Sequence, residues 1–97
     1  MLERLTIDDF RSLEDSEVRV RIGGNDLNAT VIAVSVAPGG REGGRGPFSV
    51  VLRCGPVDRH FHQGVYTLEH PEYGPLELFM VPIGPDRAGM RYEISFS

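Results

Sequence analysis

The run YTLEHPEYGPLELFMVP at residues 66–82, read with MRYEISF at residues 90–96, decides how this chain folds. Tyr66, Leu68 and His70 fall on one face, Leu76, Leu78 and Met80 on the next, and Met90, Tyr92, Ile94 and Phe96 on a third. A spacing of two is that of half-buried strands, because successive side chains leave a strand on opposite sides. Pro71 to Gly74 and Pro82 to Gly89 supply turn chemistry between the runs, so the C-terminal half reads as an antiparallel meander.

The same reading extends upstream. Phe48, Val50, Leu52 and Cys54 share one face before Gly55-Pro56 ends their strand, and Val57 to Gly64 is irregular. Val18, Val20 and Ile22 alternate with Glu17, Arg19 and Arg21, and Gly23-Gly24-Asn25-Asp26 forms a turn. Leu27 to Val36 changes phase part-way. Leu27, Ala29 and Val31 alternate first, then Ile32, Val34 and Val36. Either a β-bulge near Val31 and Ile32 brings both sets to one side, or the strand is buried on both faces.

Before the first strand, Thr6 is placed to cap a short helix, with Asp9 three residues later as a shortened capping box. Leu5 and Phe10 occupy the staple positions, while Ile7, Phe10 and Leu13 form an apolar stripe. Asp8 and Asp9 complement the helix dipole, a role that accounts for the acidic pair without a metal.

These elements predict one domain over residues 1–97, mostly β: a small antiparallel barrel or two-layer roll of about six strands with one short N-terminal helix. The helix is placed at 6–13 and the strands at 17–22, 27–36, 48–54, 65–70, 76–83 and 90–96. A helix at the N-terminus argues against the five-stranded nucleic-acid barrel, which inserts its helix mid-chain.

The 97 residues carry a net charge of −4, with charges of both signs interspersed, which argues against a nucleic-acid partner. All ten basic residues are arginine. A bias spread along the whole chain reads as GC-rich coding rather than as a site. No apolar tract approaches the ~18 residues of a membrane span, and Met1 to Arg4 does not resemble a signal peptide. The expectation is a soluble cytoplasmic protein. The single Cys54 excludes an internal disulfide and falls in phase with the core, as an inert thiol does.

Chemistry-bearing groups do not assemble in the sequence. His60 and His62 share a face if extended, yet no second ligand pair completes a tetrahedral set, while His70 and Cys54 point inward. The serines at 12, 16, 35, 49, 95 and 97 occupy helix ends, strand faces or the terminus, not a nucleophile turn. No catalytic residue, metal site or cofactor is expected. Residues 38–47 form a Gly/Arg/Pro loop that lacks the lysine and hydroxyl of a phosphate loop. Arg41 and Arg45 could grip an anion, but a flexible hairpin excursion accounts for the composition.

The strand at residues 76–83 departs from its neighbours. Phe79, Val81 and Ile83 form a second apolar face, broken only by Glu77. Internal cover by the Ile7–Phe10–Leu13 stripe is favoured, since that stripe needs a docking site. Otherwise Phe79, Val81 and Ile83 mark an interface for a protein partner or for self-association.

Several segments carry a family likeness: Leu2 to Phe10, Pro47 to Ser49, Gln63 to Tyr66, Glu69 to Pro71, Leu76 to Asp86 and Gly89 to Glu93. Together they resemble a family of roughly hundred-residue bacterial proteins known only as a domain of unknown function. The resemblance covers nearly the whole chain, most specifically Leu76 to Asp86, and implies genes near phage-tail-like collar and fibre genes. It transfers no functional residues. His60, His62 and the Arg41–Arg45 loop lie outside the matching segments. The resulting expectation is a non-catalytic structural or protein-interaction module, with a small-ligand-binding barrel as the alternative.

Overall fold

The computed structural model describes residues 5–43 and 46–97. Six antiparallel strands close into a barrel: β1 (Glu17–Ile22), β2 (Asn25–Val36), β3 (Phe48–Arg53), β4 (Gly64–His70), β5 (Gly74–Pro85) and β6 (Met90–Phe96). Around the barrel the order is β1-β2-β3-β6-β5-β4, and β4 closes on β1 through Arg19–Glu69, Val20–Leu68 and Arg21–Thr67. Closure gives each of the six strands a hydrogen-bonded neighbour on both sides over part of its length, with the β1–β4 seam the shortest at three residue pairs.

The alternation seen in the sequence becomes the inside and outside of this barrel. Val18, Val20 and Ile22 are buried while Glu17, Arg19 and Arg21 face water. In β2 the register against β3 slips between Val31 and Ala33, leaving Ile32 without a partner there. Val31 and Val34 are therefore both buried, and the phase change is a bulge. A second slip lies between Pro82 and Gly84 of β5, opposite β6, and skips Ile83. Val20, Val50, Leu52, Leu68, Met80 and Ile94 are each at most 1% exposed, so the interior is filled by side chains.

Each barrel end has its own plug. At one end α1 (Asp8–Arg11) lays Phe10 among Phe48, Phe96 and His70, with ring centroids 6.0, 5.1 and 5.4 Å away. The helix is shorter than the expected 6–13. Asp15 donates its N–H to the Val31 carbonyl at 2.8 Å, and Val31 returns an N–H to Ser16 at 3.0 Å. That exchange draws the chain into β1, so residues 12–15 become turns. The capping box is also only half made: Asp9 Oδ2 accepts the Thr6 N–H at 2.8 Å, but the Thr6 hydroxyl donates to the same oxygen rather than capping.

At the other end, the connection from β3 to β4 crosses the barrel and inserts Phe61. A side chain at Gly23, which has φ +59°, would meet the Phe61 ring at 3.1 Å, so the β1–β2 turn closes down on it. The Phe61 N–H donates to the Tyr92 hydroxyl at 3.0 Å, anchoring the crossing to β6.

Candidate functional site

Apolar side chains gather outside the barrel on the shared face of β4 and β5. Val65 is 60% exposed, Phe79 51% and Ile83 37%. Val65 and Phe79 are direct register partners across the two strands, while Val81 is half-buried opposite Glu93. Ile83 is turned outward at the second bulge, where it opposes no β6 residue.

The expected internal cover of this face is corrected by the position of the helix. Its apolar stripe seats in the aromatic socket at the barrel end instead, where Phe48 and Phe96 stack 4.4 Å apart. Four helical residues rise only ~6 Å, too little to cover a twelve-residue strand. Val65 was missing from the sequence-level interface, although its parity (opposite to Tyr66, Leu68 and His70) marks it as outward.

The border of the apolar strip carries carboxylates beside Phe79 and Val81 and an arginine beside Ile83. Glu77 occupies the next outward position beyond Phe79 and accepts the Thr67 hydroxyl, and Glu93 stands beside Val81. Arg91 turns its Nε to the Gly84 carbonyl at 3.1 Å, a contact that holds it against β5. The bulged end is braced by Arg53, whose guanidinium grips both oxygens of Asp86 at 2.7–3.0 Å. Asp86 also accepts the N–H groups of Ala88 and Gly89. With Arg53 as the main cause and the backbone donors adding to it, the Asp86 carboxyl is pulled down to about 2.

The other candidates are placed apart from this strip. The His60 and His62 rings meet edge-on at 6.4 Å, and among the described residues no three His, Cys, Asp or Glu side chains group as metal ligands. Cys54 is buried, and burial pushes its thiol up. His70 is committed to structure: Nε2 lies 2.7 Å from the Asp9 carbonyl and Nδ1 accepts the Glu72 N–H at 3.1 Å. Asp9 is equally engaged, accepting the Tyr73 hydroxyl at 2.9 Å. Arg41 is exposed on the glycine-rich loop, whereas Arg45 lies outside the described residues.

Residues 5–96 match the family described as Domain of unknown function (DUF6916). The chain belongs to that family. The DUF6916 match spans the helix plug and all six strands, so both plugs and the β4–β5 face fall within the family's unit. No curated protein and no solved structure matches the chain. Among the described residues no helix is long and apolar enough to cross a membrane.

Proposed function

We propose that this domain is a non-catalytic protein-interaction module that docks a partner protein on the outer face of β4 and β5. The observation that carries the reading is the exposed Val65–Phe79 pair, continued by Val81 and Ile83 on a barrel whose other strands turn mainly polar or short side chains outward. At Val65 and Phe79 the backbone is already engaged in the β4–β5 ladder, so a partner on this face is met through side chains rather than by adding a strand. Glu77 and Glu93 along the strip favour a partner with a basic rim around an apolar patch. They disfavour a second copy, which would bring the same carboxylates together.

The family likeness suggests a setting for the partner: a tail-like bacterial assembly in which this domain is a cytoplasmically made subunit. The filled interior gives no support to a ligand held inside the barrel. Purification with the neighbouring collar- and fibre-type proteins, followed by calorimetric titration, tests the reading. A Phe79→Glu variant should keep its fold and lose the complex. An undiminished complex would overturn the proposal, as would wild-type dimerisation through Phe79.

A further inference from the structure

The end of the barrel crossed by the β3–β4 connection holds a cleft of about 370 Å³, remote in chemistry from the β4–β5 strip. That volume is at the small end of the roughly 300–1,000 Å³ typical of small-molecule sites. Leu27, Phe61 and Pro56 provide apolar walls, and Cys54 and Tyr92 are the buried groups beneath. The walls are held from behind, because Gly23 leaves no room for the Phe61 ring to back away and the Tyr92 hydroxyl fixes the Phe61 N–H.

The polar groups of the cleft are weighted towards donors. Arg59 and His60 line it and, among the described residues, no carboxylate does, in a chain whose net charge is −4. Among the described residues Arg59 makes no ion pair, unlike Arg11, Arg21 and Arg53. Tyr92 is 1% exposed, and its hydroxyl accepts from Phe61 while its own proton meets no acceptor among the described residues. Burial raises the Tyr92 phenol, which keeps that proton in place at neutral pH. The Asn25 amide is turned away, donating to the Ile22 and Gly23 carbonyls. An apolar slot with an aromatic wall, an unspent buried O–H and an unpaired guanidinium suits one ligand chemistry.

The geometry points to this cleft as a binding site for an aromatic carboxylate: the ring lies against Phe61 and Leu27, and the carboxylate takes hydrogen bonds from Arg59 and the Tyr92 hydroxyl. The same chemistry is carried by a free aromatic acid and by the C-terminal phenylalanine of a peptide. Phenylacetate and acetyl-glycyl-phenylalanine, titrated separately into the ¹⁵N-labelled full chain, serve as probes for the two sources. Saturable shifts of the Leu27, Cys54, Gly55, Phe61 and Tyr92 amides are expected with at least one of them. The tighter probe identifies the source.

Phenylacetamide, which keeps the ring and loses the charge, should bind about tenfold more weakly or worse, and Arg59→Gln should weaken phenylacetate by a similar factor. Leu27→Trp, which fills the slot, should abolish the shifts while the spectrum stays dispersed. If Leu27→Trp does not fold, the amide control and Arg59→Gln decide the matter alone. Absence of saturable shifts with both probes, shifts centred on Val65 and Phe79, or equal affinity for phenylacetate and phenylacetamide would overturn the site.

Discussion

His70, the last residue of β4, has its ring Nε2 2.7 Å from the backbone carbonyl oxygen of Asp9 in the helix, a link across 61 residues of sequence. Nδ1 of the same ring accepts the Glu72 N–H, so the network assigns the proton to Nε2, which donates to Asp9. One imidazole thereby fastens the helix plug and shapes the β4–β5 turn. Its edge also meets the Phe10 ring, 5.4 Å away at 85°.

His70→Phe should therefore keep the packing and strand both backbone partners. Both groups are only part-buried, so losing the imidazole costs about 1 kcal/mol, the net worth of a typical hydrogen bond. Urea unfolding should show that loss, with hydrogen exchange accelerated first at Asp9, Phe10 and Glu72. A variant as stable as the wild type would mean that water replaces the imidazole at both sites.

Truncation on the two sides of the barrel should give opposite results. Phe10 is fully buried and Phe79 is half exposed. Phe10→Ala should cost about 3–5 kcal/mol, whereas Phe79→Ala on the isolated chain should stay within about 0.5 kcal/mol. Thermal melts of the two variants check this directly. A large loss at Phe79 would show that the β4–β5 face is covered within the chain, and the docking proposal would fall with it.

The barrel walls were more legible in the sequence than the barrel ends. Alternation encodes which side of a strand is wet, and the phase change at Ile32 encoded its bulge in the same way. Amphipathic spacing in the helix named Ile7, Phe10 and Leu13 as buried but said nothing about the surface that receives them. The aromatic socket is assembled from Phe48, His70 and Phe96, three positions distant in sequence. The cleft was invisible for the same reason, since Phe61 and Tyr92 become neighbours only when the β3–β4 connection crosses the barrel end. Val65 was legible by parity, and its significance came from standing opposite Phe79.

The glycine-rich loop has a stem with a definite packing requirement. A side-chain carbon at Gly40 would stand 2.2 Å from the Pro47 carbonyl oxygen, and Ala37 donates its N–H to that same carbonyl at 3.1 Å. Glu42, further along, pairs with Arg11 of the helix. Gly40→Ala should force the stem apart and cost about 1–3 kcal/mol, as overpacking does. At Gly43, where an added carbon meets nothing, Gly43→Asn should be tolerated because asparagine accepts its φ of +67°. Equal melting temperatures for the two variants would show that the stem yields without cost.

Asp86 gives the chain an acid-sensitive brace. Its carboxyl is held at about 2, chiefly by Arg53, below the ordinary 3.8 it regains on unfolding. A depressed acid binds fewer protons folded than unfolded, so its stabilisation is complete above the ordinary value and lost as pH falls through about 2. Asp86→Asn should therefore be less stable than the wild type at pH 5–7, and the gap should narrow between pH 4 and pH 2. Urea midpoints collected for both proteins across that range isolate the difference, because every other carboxylate titrates in both. A gap that stays constant down to pH 2 would show that the Arg53–Asp86 contact contributes through shape and not through charge. The Ile83 bulge and the β5–β6 connection should then loosen equally at every pH.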